Sequence, residues 1–263
     1  MHMHLVETAY QKEYARRRTG KTAVRHPHDL GSPRLTFGHG VCMTQDDIDM
    51  VAESGACICH NCSLTFRLRS GVAPLNSFEK EGISVAIGID EAGMKDDRDM
   101  LQEMRMVLNT HRTPGMDDDV PTAGQVLRMA TEEGARTTLL GETIGRLDPG
   151  RYFDAVLINW RTATFPYQDP DLPLLMAVLQ RAKTKSVDSV FINGECVYSD
   201  GKFLKLDRDE VLRELAHSLA LPRTDQEQGR PCRYEKVLSG LFIPVMRPEI
   251  SAGKFRDNRY VGH

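Results

Sequence analysis

The run Val85-Ala-Ile-Gly-Ile-Asp90-Glu-Ala-Gly-Met-Lys-Asp-Asp-Arg98-Asp-Met-Leu-Gln-Glu103-Met-Arg105 constrains the fold more than any other stretch of this chain. Small and β-branched apolar residues end abruptly in a carboxylate, a short polar loop follows, and then helix-forming residues. A parallel strand buried on both faces reads as a near-continuous apolar run. Such a strand delivers the residue at its carboxyl end to the place where barrel active sites are built. The pattern predicts a strand over Ile83 to Ile89 with Asp90 at its mouth. Two more strand-end candidates stand upstream: His4 with Glu7 in Met3-His-Leu-Val-Glu-Thr8, and His39 in Leu35-Thr-Phe-Gly-His39-Gly40. Two histidines and an aspartate, each on its own strand, are the materials of a metal-assisted hydrolase.

Strands and helices alternate between these points. Residues 9 to 30 carry Lys12, Arg16, Arg17, Arg18, Lys21 and Arg25 with few large apolar residues, which predicts a solvated helix and loop. His26 and His28 lie in that connection and read as surface residues, since a residue before proline is held extended. Thr44-Gln-Asp-Asp47 has the spacing of a capping box, with Asp in place of Glu or Gln. The helix after it buries Ile48, Val51 and Ala52 and stops at Gly55, a good residue beyond a helix end. Ala56 to His60 is then a strand, Ser77 to Glu81 a short helix, and Asp97 to Asn109 a helix with Met100, Met104, Val107 and Leu108 at core spacing. Alternation of this kind implies a parallel sheet with right-handed crossovers. Asp117-Asp-Asp119 reads as solvated loop, and Pro121-Thr122 opens the next helix. From Arg151 the pattern changes to strands: Asp154 to Asn159, Ser189 to Ile192, and Cys196 to Tyr198. Asn193-Gly194 marks a hairpin because both residues tolerate positive φ. Trp160 is expected to close a strand by packing. Residues 207 to 219 form an amphipathic helix through Val211, Leu212, Leu215 and Ala216, and the tail from Pro222 is loosely held.

A net charge of −3 over 263 residues leaves no electrostatic footprint for nucleic acid or an acidic membrane. No apolar run approaches the roughly 20 residues needed to span a bilayer, and the first twenty lack a signal-peptide core. Six unevenly spaced cysteines do not make a disulfide framework. A cytoplasmic protein is the plain reading. Apolar content of 40% is enough for a core. A complete eight-stranded barrel alone takes about 250 residues and would not fit beside a β appendage and a tail.

In its ordered motifs the chain resembles the amidohydrolase superfamily, in the branch of heterocycle deaminases and chlorohydrolases (cytosine deaminase-like and methylthioadenosine/S-adenosylhomocysteine deaminase-like). The resemblance runs from about His4 to about Gly201. It rests on the His4-Leu-Val-Glu7 strand, the Gly38-His39 strand and the Gly88-Ile-Asp90 strand. Further motifs are the loop His60-Asn-Cys-Ser-Leu-Thr-Phe-Arg67-Leu-Arg-Ser-Gly71, the helix motifs Leu127-Arg-Met-Ala-Thr131 and Gly134-Ala-Arg136, and the returning strand pair Gly145 to Ala155. The match begins at the family's fifth barrel strand. Met1-His2-Met-His4 imitates the His-x-His of the first, but Leu5-Val-Glu7-Thr8 fits the fifth, so His2 reads as an ordinary strand residue.

The fold this implies is α/β: a partial (β/α)8 TIM-type barrel, roughly strands 5–8, with a small β appendage and a helical tail. Its divisions fall at residues 1–147 for the half barrel, 148–205 for a partial β-sandwich, and 206–263 for the helix and tail. The resemblance assigns His4 and Asp90 to one Zn2+ or Fe2+ per active site, whose field draws the pKa of a bound water toward neutrality. Asp90 would also take a proton, Glu7 would pass one to the ring nitrogen beside the attacked carbon, and His39 would steady the developing oxyanion or leaving group. Glu7, His39 and Arg67 would meet a small aminated heterocycle, with loss of ammonia or halide. Two metal ligands are fewer than the usual three, so the isolated half is expected to be inactive. The alternative is a non-catalytic fragment or scaffold requiring a separate amino-terminal half, and a second copy or that half are the protein partners allowed.

Several side chains keep two readings. Cys57, Cys59 and Cys62 are buried structural cysteines or a soft-metal site, with Cys42 the one nearby addition. Arg67 and Arg69 touch a polar substituent or pair with carboxylates. The family loop usually carries Asn where Thr65 stands, which puts one substrate contact in question. Arg98, Glu103 and Arg105 are expected to form a buried salt-bridge anchor, while His111, His217 and His263 are expected at the surface.

Overall fold

A computed structural model describes residues 1–25, 32–90, 98–112 and 121–222. The chain divides into two units, Met1–Lys205 and Leu206–His263. The first opens with β1 (His2–Leu5), α1 (Ala9–Thr19), β2 (Thr36–His39), α2 (Gln45–Ser54), β3 (Cys57–His60), α3 (Cys62–Arg67), α4 (Leu75–Lys80), β4 (Val85–Ile87) and α5 (Met100–Thr110). The four strands form one sheet in sequence order, β1-β2-β3-β4, and every pair is parallel. His4 lies beside Gly38 and Leu5 beside His39, while His60 lies beside Ile87, so the carboxyl ends of the strands share one edge of the sheet. β2 and β4 are buried along their whole length, the environment that the apolar runs demand.

The local signals explain where the helices sit. The Thr44 side chain accepts from the Asp47 amide, and Asp47 bonds back to the Thr44 backbone, a reciprocal box that starts α2. Asp99 caps α5 by accepting from the Leu101 and Gln102 amides, so the helix starts at Met100 rather than at Asp97. The strand before it is also shorter than its apolar run, Val85–Ile87 instead of Ile83 to Ile89. α1 buries nothing; Glu13 instead ion-pairs with Arg16 and Arg17 on its exposed surface. The core draws Phe37, Ile58 and Val85 from the sheet, Leu75 and Phe78 from α4, and Val107 and Leu108 from α5. Each such side chain contributes about 1.5–3 kcal/mol on burial.

The unit continues through α6 (Ala123–Ala130), α7 (Glu132–Thr137), β5 (Ala155–Ile158), α8 (Trp160–Thr164), α9 (Leu174–Arg181), β6 (Val187–Ile192), β7 (Glu195–Ser199) and β8 (Lys202–Phe203). Thr122 and Gln125 form a second capping box at the head of α6, which adds Val126 and Met129 to the core. The last four strands make an antiparallel sheet in the order β5-β6-β7-β8. At its hairpin Asn193 (φ 51°) and Gly194 (φ 79°) both take left-handed backbone. The Asp154 carboxylate accepts from the Asn193 amide at 2.7 Å and braces the turn.

Three expectations are revised. Among the described residues Arg105 makes no salt bridge: its guanidinium donates to the carbonyls of Leu179, Gln180 and Ala182, tying α5 to the carboxyl end of α9. A cation there meets the unsatisfied carbonyls and negative dipole end of the helix. Trp160 opens α8 rather than closing a strand, because Asn159 accepts from the Thr162 amide and caps a new helix. Of the expected strand pair between Gly145 and Ala155, only β5 forms, and Arg151 holds the preceding turn by donating to the Gly141 and Ile144 carbonyls.

The described part of the second unit is α10 (Arg208–Ala220), capped by Asp207 and exposed along Val211, Leu212, Leu215 and Leu219. No helix among the described residues is long and apolar enough to cross a membrane. His26, His28, Asp117–Asp119, His263 and the tail from residue 223 lie outside the described residues.

Candidate active site

The carboxyl ends of β1, β2 and β4 bring together the residues that the sequence singled out. His39 ends β2 with its side chain fully buried; its Nε2 lies 3.1 Å from Asp90 Oδ2 and 3.8 Å from Glu7 Oε2. His4 Nδ1 stands 4.0 Å from Glu7 Oε2, and its ring meets the His39 ring edge-on at 4.6 Å. Glu7 and Asp90 are mostly enclosed, at 13% and 11% side-chain exposure, whereas His4 is 58% exposed. Three polar side chains, His4, Glu7 and Asp90, therefore converge on His39. His2 shares the sheet face of His4 and is exposed on β1.

The backbone at these positions is strained. Val6 (φ 50°), His39 (φ 74°) and Asp90 (φ 58°) all lie in the left-handed region, which costs a non-glycine residue about 1–3 kcal/mol. Each one falls at or just beyond a strand end, and each turns the chain so that a polar side chain joins the cluster. For the buried, β-branched Val6 the conformation is especially unfavourable.

Burial pushes the His39 pKa below its usual value; the carboxylates of Glu7 and Asp90 pull it back up, and His4 and His2 push it further down. The ring is thus biased toward the neutral form. Asn61 Nδ2 approaches His39 Nδ1 at 3.5 Å, and with the amide donating, the proton of a neutral His39 sits on Nε2, facing Asp90. Turning the amide over would put its oxygen toward Nδ1 and leave Nε2 as a bare lone pair. Cys59 donates to Asn61 Oδ1 at 3.7 Å, and its thiol is pushed up to about 11, by burial first and then by Asp90 and Glu103. Ser70 donates to Glu7 Oε1 at 3.4 Å.

Asn61 and Ser70 had no role in the sequence reading. Asn61 directly follows a strand, the same signal that marked His39 and Asp90, and could have been found on that ground. Arg67 and Arg69 are exposed. Thr65 is buried and its hydroxyl donates to the Cys62 carbonyl. His217 is exposed as expected, but His111 is not: it is buried, with its Nε2 2.9 Å from His60 Nε2, because the end of α5 packs against the end of β3.

A cation fits these residues on the structure's own terms. His39 Nε2 is fully buried yet makes no hydrogen bond among the described residues, although a carboxylate oxygen is only 3.1 Å away. His4, Glu7 and His39 each offer a ligand atom within 4.8 Å of the others. Two imidazoles and two carboxylates suit Zn2+ or Fe2+.

The amidohydrolase family profile matches residues 1–197. The chain belongs to the amidohydrolase family. Among its relatives is 5-methylthioadenosine/S-adenosylhomocysteine deaminase of Syntrophomonas wolfei subsp. wolfei, 33% identical over 225 residues, covering 83% of this chain and 52% of that protein. The protein of the same name from Pyrococcus furiosus is 30% identical over 213 residues, covering 80% and 49%. Among solved structures, a zinc-bound adenosine deaminase from Xanthomonas campestris superposes with a TM-score of 0.76 at 24% identity, over 82% of this chain and 49% of that one. Atrazine chlorohydrolase from Arthrobacter aurescens in complex with zinc gives 0.74 at 22% identity, over 82% and 48%. These structural likenesses carry the α/β fold of the family. The chain spans about half the length of the curated relatives it matches.

Proposed function

We propose that this chain carries the carboxyl-terminal half of a metal-dependent hydrolase barrel, strands 5–8, acting on a carbon–nitrogen or carbon–halogen bond of an aminated heterocycle. The observation that carries the reading is the buried Nε2 of His39, without a hydrogen-bond partner among the described residues and set beside the carboxylates of Glu7 and Asp90 at the strand ends. The names of the relatives, deaminases of adenosine-type nucleosides, favour an aminopurine as the heterocycle and ammonia as the leaving group.

His4 and Asp90 would hold a Zn2+ or Fe2+, and that cation supplies Lewis acidity, drawing the pKa of water toward neutrality. The remaining steps belong to the side chains. Asp90 takes a proton on Oδ2, an atom already set against His39. Glu7 passes a proton to the ring nitrogen beside the attacked carbon, with Ser70 fixing which carboxylate oxygen is engaged. Neutral His39 donates from Nε2 to the developing negative charge or to the departing amine, and Asn61 holds the tautomer that makes this available. Arg67, exposed at the end of α3, would meet a polar substituent of the substrate.

Because the chain spans about half of its relatives and His4 remains 58% exposed, turnover would require a complementing amino-terminal half. The test is metal analysis of the purified chain, then ammonia release from adenosine-type nucleosides with and without the amino-terminal half of a full-length relative. Stoichiometric zinc or iron lost in Asp90→Asn, and turnover only in the mixture, is the expected result. No bound metal and no turnover in either arm would overturn it in favour of a non-catalytic scaffold.

A further inference from the structure

A second convergence of ligands lies on the other side of the β3 end, where His60 meets the layer of α5 while Asn61, the next residue, meets His39. We propose that His60, Cys62 and His111 form a separate buried site for a thiophilic cation, Cu+, that pins the end of β3 to the end of α5. Each of the three offers a ligand atom within 4.8 Å of the others, and their exposures are 0%, 1% and 6%. Two imidazoles and a thiolate are the donors that soft metals select.

A hydrogen bond between the imidazoles leaves the arrangement incomplete. Whichever ring donates across the 2.9 Å between the two Nε2 atoms, His60 Nδ1 stays buried with no hydrogen-bond partner among the described residues. Buried polar atoms are rarely left this way. Burial first, then His111 and His39, pushes His60 to about 3, and burial pushes His111 to about 4, so both rings hold the neutral form that coordinates metals.

Charge then selects the ion. As the sulfur–metal bond forms, the Cys62 thiol releases its proton to solvent, and no electron is transferred. One thiolate and two neutral imidazoles carry a single negative charge, so Cu+ gives a neutral complex, whereas Zn2+ would leave a net positive charge on a buried ligand set. The Thr110 hydroxyl, 3.8 Å from the Cys62 sulfur, sits beside the site on the last turn of α5. His60 and His111 are far apart in sequence, so bridging them removes much freedom from the unfolded chain.

The experiment is an anaerobic titration of the metal-stripped chain with Cu+ and, separately, with Zn2+. It is followed by near-ultraviolet thiolate-to-metal charge-transfer absorption and by the thermal midpoint. The expected result is uptake of Cu+ with new absorption and a raised midpoint, both lost in Cys62→Ser and retained in Cys59→Ser. Chelator competition should show at least about a hundredfold weaker Cu+ binding in His111→Asn. The active-site cluster contains no thiol, so a failure there would not erase this signature. Far-ultraviolet circular dichroism checks that the variants are folded, and X-ray absorption on the wild-type chain should give one sulfur and two nitrogen donors whatever the variants do. No charge-transfer absorption in the folded wild type, or absorption surviving Cys62→Ser, overturns the site. Tighter thiolate-dependent binding of Zn2+ than of Cu+ overturns the choice of ion.

Discussion

His39 Nε2 lies 3.1 Å from Asp90 Oδ2, yet it makes no hydrogen bond among the described residues. A cation held beside Asp90 would act on both side chains through the carboxylate they share. His39→Asn and Asp90→Asn should therefore each weaken Zn2+ binding. Their double variant should be less damaging than the sum, with a coupling of about 0.5–3 kcal/mol. Isothermal titration on the four proteins checks it, and strict additivity would show that the two side chains act apart.

Gly88 stands where no side chain fits. A Cβ there would come within 2.5 Å of Asn61 Oδ1 and 2.7 Å of the Cys59 sulfur. Both are short, enclosed side chains, so Gly88→Ala should displace Asn61 and release its hold on His39. The expected cost is about 1–3 kcal/mol of stability, with metal affinity falling by about 10–100-fold. Chemical denaturation and metal titration on the same protein separate the two effects.

Val6 offers a test of the strain at the site. Its side chain is buried, but its backbone sits at φ 50°. Val6→Ala loses packing and keeps the strain, while Val6→Gly loses slightly more packing and relieves about 1 kcal/mol or more of strain. In denaturant unfolding Val6→Gly should be no less stable than Val6→Ala, reversing the order seen at ordinary strand positions.

Glu79 gives a pH dependence with a definite sign. Burial first, and then the charge of Glu133, raise its pKa above the free value of 4.5, with Arg128 and a hydrogen bond from Gln125 opposing. The folded chain therefore holds this proton more tightly than the unfolded chain. Its stabilising contribution is complete below pH 4.5 and is lost as pH rises through the folded-state pKa. Glu79→Gln, which still accepts from Gln125, should be more stable than wild type at neutral pH, and the difference should vanish below about pH 4. Thermal midpoints across that range measure it; a constant offset at all pH values would refute the assignment.

The candidate site was legible because each of its residues ends an apolar run. His39 and Asp90 sit where buried strands stop, and Glu7 and His4 flank the end of β1. Capping boxes at Thr44 and Thr122 fixed two helix starts for the same reason, since their signals are local. What stayed hidden depends on contacts between segments distant in sequence. His111 follows α5 and gives no periodic cue that its ring meets His60. Arg105 reads as one half of an ion pair until the carbonyls of α9 supply uncharged acceptors. Asn61 and Ser70 act on other side chains, and a polar residue that orients its neighbour looks like any loop residue.

Strand order in the parallel sheet follows the order of the chain, and this bears on how the molecule can be built. Each strand pairs with the strand just before it in the chain, so every pairing spans one helical crossover, and parallel pairing across such connections is slower to form than a local hairpin. The carboxylate of Asp90 follows the fourth strand, whereas His4 and His39 lie on the adjacent first and second strands. A chain ending before that strand would thus carry the His4 and His39 rings without the carboxylate that faces His39 at 3.1 Å.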